Sequence, residues 1–483
     1  MKINKVFLFY PPGPQYQRGE DRSQGNVGQS TATSMRAPND MGYISSQLDQ
    51  KNIKNIFTDY ASEGKTAADL YNDFVNFSAD IVITSTTTST IKDDLKIIEQ
   101  MKSKNKNCKF IMKGSIFFKA PNFLLDSLDL KSIDFLIGGE IEFAATNIIE
   151  KINNNQKDFN TIPGIFIKEG NEWKETKFDN WSKEIDDLPF PNRSKVNNKL
   201  YFRPDTGEPQ ATVATSRGCP SSCVYCLTPT ISGKKTRLRS PKSIIEELEE
   251  CYFKHNIKNF FFKSDTFTID HVWVTEVCQS ILKSSLKNKI EWVANSRVRP
   301  LKEDTPKIMK EAGCWLIAFG FETGSAETIK KIKKGATIED NLRARHLVKK
   351  AGLKVYGFFL IGLPWENKEH LSDTEKHIFQ IDSDFIELHI AVPYYGTELY
   401  NMVKKEGLLK VPVVGQNYFE EASTGTKYLT PEELVSFRKR VLIKYHARPS
   451  YIFGKIKDSF SDRRKFMNYV KHAYRLYNNL VRR

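Results

Sequence analysis

The chain predicts an α/β protein: an N-terminal doubly wound, Rossmann-like domain over residues 1–150, a connector over 151–210, a partial (β/α)6 barrel over 211–400, and a helical, basic region over 401–483. Two observations predict it. Apolar runs of strand length alternate with helical stretches in both halves, the pattern of parallel sheets crossed by helices. That alternation lapses in the middle of the chain and resumes with a longer period. A length of 483 residues with 40% hydrophobic content suits several soluble domains rather than one.

The first strand is read at 5–10, an apolar run that stops at Pro11-Pro12. It is too short, and lacks the small-residue cleavage site, for a signal peptide. Further strands are read at 53–58, 81–84, 109–112 and 135–137, with helices between them such as 91–102. Ligands of such sheets sit at the carboxyl ends of the strands. Those ends here are Tyr10-Pro11-Pro12-Gly13-Pro14, Thr84-Ser85-Thr86-Thr87-Thr88, Lys113-Gly114-Ser115 and Gly138-Gly139-Glu140-Ile141-Glu142. They are small, polar or glycine-rich, which suits close approach of a large ligand to the backbone. The polar run from Gln15 to Arg22 reads equally as a cover over a ligand and as a surface loop. In the connector, residues 164–173 suggest a hairpin and Leu188-Pro189-Phe190-Pro191 an extended linker.

In the second half, strands are read at 212–215, 259–263, 291–294, 316–320, 355–361 and 385–390. Helices are read at 241–255, 272–285, 303–312, 326–334, 338–351 and 368–381. Six βα units suit an open barrel, whose chemistry belongs at the carboxyl ends of its strands. Those ends carry Lys263-Ser264-Asp265, Asn295-Ser296-Arg297, Gly320-Phe321-Glu322-Thr323-Gly324, Leu360-Ile361-Gly362-Leu363-Pro364-Trp365-Glu366 and Tyr395-Gly396-Thr397.

After the first of these strands comes Arg217-Gly218-Cys219-Pro220-Ser221-Ser222-Cys223-Val224-Tyr225-Cys226, a Cys-x3-Cys-x2-Cys spacing. A compact loop of this kind turns three thiolates toward one iron–sulfur cluster. A [4Fe–4S] cube held by three thiolates keeps one iron open, as a catalytic metal keeps an open position. A zinc knuckle would want a fourth ligand at short range, and the next candidates are Cys251 and His255. Seven cysteines in 483 residues is too sparse, and odd in number, for a disulfide framework. Cys108, Cys251, Cys278 and Cys314 read as small core residues.

The cysteine loop and the ordered polar strand ends resemble the radical S-adenosylmethionine (SAM) enzymes. The resemblance implies that Cys219, Cys223 and Cys226 hold a [4Fe–4S] cluster whose open iron chelates SAM, and that an electron from it cleaves SAM to a 5′-deoxyadenosyl radical. It implies adenine contacts at Tyr225, Leu360 and Gly362, Asp265 near the methionyl amino group, and Asn295, Arg297 and Glu322 around the ribose and carboxylate. Arg297 and Glu322 also read as a structural ion pair across the barrel mouth. Tyr395 stands where many relatives have proline.

A doubly wound domain ahead of such a barrel resembles the cobalamin (B12)-binding radical SAM family. That implies cobalamin contacts at Thr84, Ser85, Gly138, Gly139 and Glu140. Lys113-Gly114-Ser115 departs from a glycine pair frequent in relatives, and Ile141 replaces the middle glycine of a Gly-Glu-Gly-Glu run. The first histidine of the chain is His255. The Asp-x-His-x-x-Gly motif of methyltransferase cobalamin domains is therefore absent, and a cobalamin here would have no lower histidine from this domain. The family implies a C-methyltransferase that acts on an unactivated carbon through the deoxyadenosyl radical and methylcobalamin. The alternatives are a radical SAM cyclase or oxidoreductase on a tetrapyrrole, lipid or other natural product, and a non-catalytic iron–sulfur redox protein.

The net charge is +15, and residues 451–483 carry nine Lys/Arg against two Asp. Aromatic and aliphatic residues are interleaved there. Such a segment reads as a helix packed on the body with a solvated basic face, or as a peripheral contact to a membrane surface. No nucleic-acid module is visible, and no apolar run approaches the ~20 residues of a spanning helix. Unpaired thiols fit a cytoplasmic setting, with a small-molecule or lipid-like substrate and an external electron donor such as flavodoxin or ferredoxin.

Overall fold

The computed structural model describes residues 2–14, 35–118, 120–170, 172–177, 184–410, 413–416, 421–460, 462–478 and 480. The run from Gln15 to Arg22 lies outside them. The first sheet contains β1 (Lys5–Tyr10), β2 (Lys54–Asp59), β3 (Ile81–Ser85), β4 (Lys109–Lys113), β5 (Phe135–Ile137), β6 (Ile165–Glu169) and β7 (Glu172–Glu175), in the order β2-β1-β3-β4-β5-β6-β7. The first five strands are parallel. Helices cover both faces, so the middle of β1 (Val6–Phe9) and the start of β3 (Ile81–Ile83) are apolar on both sides. Phe7, Phe9 and Val82 enter one core, while Val6, Leu8, Tyr10, Ile81 and Ile83 enter the other. The strand order reverses between β1 and β3, which opens a crevice at their carboxyl ends. The hairpin read in the connector forms as β6 and β7. It joins the first sheet through an antiparallel pairing with β5.

The second half forms β8 (Gln210–Ala214), the short pair β9 (Ser216–Arg217) and β10 (Arg237–Leu238), then β11 (Asn259–Lys263), β12 (Glu291–Arg297), β13 (Cys314–Glu322), β14 (Lys354–Ile361) and β15 (Phe385–Ile390). Six parallel strands run in the order β15-β14-β13-β12-β11-β8. The two edge strands are not paired with each other, so the barrel is open. Outward side chains pack under the helices; Phe262 stacks on Trp292 with centroids 4.5 Å apart. Strands β12 and β13 run further than their apolar stretches. The inward residues Val293, Asn295 and Arg297 are only partly buried, so polar groups there escape the penalty of the core.

Three helices, Pro431–His446, Pro449–Ser459 and Arg463–Tyr477, follow the barrel. The first packs Leu434, Val441, Leu442 and Tyr445 into the barrel core. The other two cross the amino ends of the strands: Lys354 pairs with Asp458 at 2.5 Å, Lys455 lies 3.5 Å from the Phe385 ring centroid, and the Asn468 amide donates to the Asp205 carbonyl at 3.1 Å. One face of the basic tail is thus packed on the body. No described helix is long and apolar enough to cross a membrane.

The carboxyl ends of the two sheets face each other. Phe118, next to the first sheet, packs with Leu227, Ile231 and Tyr394 at the barrel mouth. The Gly415 amide donates to the Thr88 carbonyl at 2.9 Å. Tyr395, the departure from proline, sets its ring 5.9 Å from Phe123 of the first domain.

Candidate active site

The cysteine loop is held by backbone contacts on every side. Gly218 adopts φ +89°, and a Cβ there would fall 2.2 Å from the Lys235 carbonyl oxygen, so only glycine fits. Its amide donates to Asp265 Oδ2 at 2.9 Å, and Thr228 Oγ1 reaches Asp265 Oδ1 at 3.5 Å. Asp265 therefore clasps both ends of the loop. The Cys219 amide donates to the Gly233 carbonyl at 3.1 Å. Val224 bonds across to the barrel, donating to Ile332 at 3.2 Å and accepting from Leu399 at 2.8 Å. All seven cysteines are unbridged, and Cys108, Cys251, Cys278 and Cys314 are core residues. Among the described residues no three Cys, His, Asp or Glu converge as they would on a single metal ion. Cys219, Cys223 and Cys226 lie on one clasped loop, an arrangement that suits a four-iron cube with each thiolate on a different iron. Burial pushes the Cys226 thiol up to about 12, and raises that of Cys223 against the pull of Lys334 and Arg297.

A charged cluster adjoins Cys223. A bulge between Gly320 and Glu322, with Glu322 in the left-handed region at φ +67°, places its carboxylate at the barrel mouth. Glu322 Oε1 meets Lys334 Nζ at 2.5 Å, and the Arg297 guanidinium donates to the Lys334 carbonyl. Arg297 and Glu322 are therefore linked through Lys334 and form no direct pair. A Cβ on Gly320 would lie 2.2 Å from Glu322 Oε1 and 2.6 Å from Lys334 Nζ, so this glycine makes room for the pair. Burial, then the Glu322 charge, raises the Tyr225 hydroxyl well above its ordinary value. Leu360 packs with Val224 and Tyr225. Gly362, at φ +86°, and Leu363 donate to Glu366 Oε2 at 2.7 and 3.0 Å. Asn295 is half-buried on the same strand face as Arg297. Lys334 escaped the sequence reading, because Lys330, Lys331, Lys333 and Lys334 look like the solvated end of a helix.

Deeper in the lumen, Tyr356 donates to Glu387 Oε1 at 2.7 Å, and His389 Nε2 meets Glu387 Oε2 at 2.8 Å. The rings of Phe385, Tyr356, Phe358 and His389 stack along the wall at centroid separations of 5.8, 4.9 and 6.3 Å. Arg36 stands 4.1 Å from the Phe261 ring centroid opposite. The His389 side chain is 33% accessible and that of Glu387 23%, although both face the interior of the open barrel, so packing does not seal this wall. Burial opposes ionisation of Glu387, but His389, Tyr356 and Arg36 outweigh it and hold the carboxyl below its ordinary value. The signal in the sequence was the alternation of polar Glu387 and His389 with apolar Ile386, Leu388 and Ile390.

At the first sheet, Thr84 donates to the Phe9 carbonyl at 3.1 Å, and Ser85 is fully buried beside it. A Cβ on Gly138 would lie 2.2 Å from the Phe118 nitrogen, so that glycine serves backbone packing. Gly139 is buried next to it. Glu140 pairs with Arg237 and, at 3.2 Å, with Arg217; Glu142 pairs with Arg217 at 2.6 Å. These arginines flank the cysteine loop, so Glu140 joins the two domains. Ser89 Oγ and Gln416 Oε1, both near this end, are buried without a partner among the described residues. Such orphaned groups, together with the crevice, fit a bound polar cofactor.

Residues 213–378 match the Radical SAM superfamily. The chain is 28% identical over 460 residues to an uncharacterized methyltransferase of Pyrococcus horikoshii, covering 95% of each chain. It is 24% identical to an anaerobic magnesium-protoporphyrin IX monomethyl ester cyclase of Cereibacter sphaeroides, over 57% of this chain and 45% of that one. Among solved structures, the cobalamin-dependent SAM radical enzyme OxsB, with aqua-cobalamin and SAM bound, matches with a TM-score of 0.72 at 16% identity, over 99% of this chain and 72% of that one. The chain is thus a radical SAM enzyme, and the non-catalytic redox reading is set aside. It shares the two-domain fold of that cobalamin-dependent enzyme along nearly its whole length.

Proposed function

We propose that this protein is a cobalamin-dependent radical SAM C-methyltransferase that acts on an unactivated carbon of a small-molecule or lipid-like substrate. The observation that carries it is the apposition of the two carboxyl ends, locked by Arg217 and Arg237 against Glu140 and Glu142. In this reading residues 1–150 hold cobalamin, 151–210 connect, 211–400 hold cluster and SAM, and 401–483 form the helical flank.

When bound, the cluster and SAM supply a hydrogen-abstracting radical, and cobalamin supplies a transferable methyl group. The chain's own residues bind and orient. Cys219, Cys223 and Cys226 hold the cluster, with Asp265 fixing their loop. Tyr225, Leu360 and Gly362 form the adenine side of the SAM pocket. Asn295, Arg297 and the Glu322–Lys334 pair meet its polar groups, and both charge signs suit a ligand that carries an ammonium and a carboxylate. Thr84, Ser85, Gly138, Gly139 and Glu140 border the cobalamin site, which no histidine of residues 1–254 enters. The barrel wall of Tyr356, Phe358, Glu387 and His389 receives the substrate. A cytoplasmic donor such as flavodoxin or ferredoxin supplies electrons.

The test is anaerobic purification, reconstitution with iron and sulfide, and incubation with SAM, hydroxocobalamin and a reductant, so that methylation of the reduced cobalamin by SAM is what releases S-adenosylhomocysteine. 5′-Deoxyadenosine, S-adenosylhomocysteine and retained cobalamin together are expected. The match to a magnesium-protoporphyrin ester cyclase favours cyclisation as the second reading; deoxyadenosine without S-adenosylhomocysteine would move the assignment there.

A further inference from the structure

The helices Pro449–Ser459 and Arg463–Tyr477 have two unlike faces. The inner one is consumed in packing on the barrel's amino end, through Lys455, Asp458, Asn468 and Tyr469. On the outer face of the first helix and its end, Ile452, Ile456 and Phe460 are 47, 43 and 88% exposed, at the i, i+4, i+8 spacing of one stripe, and Phe453 beside them is 70% exposed. On the second, Met467, Val470 and Tyr474 are 46, 46 and 60% exposed at i, i+3, i+7. A soluble surface seldom carries so many large apolar groups side by side without a partner for them.

The cations around them say what that partner is. Lys457, Arg463, Lys471 and Arg475 are exposed and make no ion pair among the described residues, and no acidic residue follows Asp462. Exposed aromatic and aliphatic groups ringed by free cations match a layer with anionic headgroups over an apolar interior. A second copy of the same face would bring like charges together. A nucleic acid offers nothing apolar to Ile452, Met467 and Val470.

We propose that the outer faces of these two helices dock the enzyme on an anionic lipid surface. The contact is peripheral, since neither helix can span a bilayer. It lies at the amino ends of the barrel strands, opposite the cysteine loop, so it is an anchor and not the substrate entrance.

The test uses the full-length protein and vesicles of phosphatidylcholine alone or with about one third phosphatidylglycerol. The protein is expected to sediment with the anionic vesicles, and not the neutral ones, at low salt. The double variant Phe453→Ser/Phe460→Ser should weaken binding about tenfold or more, and Lys471→Glu/Arg475→Glu by about fivefold per charge removed. Both should keep the wild-type melting temperature and deoxyadenosine yield, because these side chains touch neither core nor site. Absence of vesicle binding would overturn the proposal. So would a concentration-dependent dimer, or binding to an RNA oligonucleotide, that the same substitutions abolish while vesicle binding persists.

Discussion

Lys334 does most to organise the barrel mouth. Its ammonium neutralises Glu322, its carbonyl holds Arg297, and its charge reaches the Cys223 thiol. Removing one partner of a buried pair strands the other charge, at a cost of about 3 kcal/mol. Lys334→Met should lower stability by that order and weaken SAM binding in equilibrium dialysis. The double variant Glu322→Gln/Lys334→Met should recover much of the stability but none of the binding. Full recovery of both would make the pair merely structural. Glu366 is a second such residue. Burial raises its carboxyl to about 7 even though two backbone amides favour the ionised form. The folded protein therefore keeps a proton that the unfolded chain loses near 4.5. The resulting stability is whole below about pH 4.5 and is lost as pH rises through about 7, by on the order of 3 kcal/mol at most. Glu366→Gln cannot ionise, so its denaturation midpoint should be flatter across that window than the wild type's; an unchanged slope would contradict the assignment.

The cysteine loop is the element on which the chemistry depends, and its shape comes from one glycine and one carboxylate. Gly218 is forced by its positive φ and by the Lys235 carbonyl, and Asp265 ties the loop's two ends. Gly218→Ala should leave the circular dichroism of the two sheets intact while the reconstituted protein falls well short of about four irons per chain. Full iron loading in that variant would show that the loop tolerates another path. The barrel strands teach the complementary lesson. Strands β11 and β15 were legible end to end because the first is a continuous Phe260–Phe262 run between polar ends and the second alternates apolar Ile386, Leu388 and Ile390 with polar Glu387 and His389. Strands β12 and β13 were read short, since Asn295, Arg297 and Glu322 look like loop residues until the lumen they face is known.

At the scale of the whole molecule, the two domains are bound by a buried cluster of four charges: Arg217, Arg237, Glu140 and Glu142. Arg217 immediately precedes the cysteine loop, so the cluster fixes the distance between loop and first sheet. Glu140→Gln/Glu142→Gln should separate thermal unfolding into two transitions and lower S-adenosylhomocysteine formation more than deoxyadenosine formation, because only methyl transfer needs both domains. Equal loss of the two products would place the effect on the cluster alone.

The parallel strands of the two sheets, the cysteine loop and most of the strand-end residues were legible from the amino-acid order alone. Those features depend on local spacing: apolar periodicity, Cys-x3-Cys-x2-Cys, and glycines where the chain turns. It took the folded chain to show that Lys334 bridges Arg297 and Glu322, that Glu140 binds arginines from the other domain, and that Tyr356, Glu387 and His389 share one wall of the barrel interior. Each joins residues far apart in the chain, on strands or domains whose approach is set by packing. A charge in a sequence does not say which opposite charge the fold will bring to it.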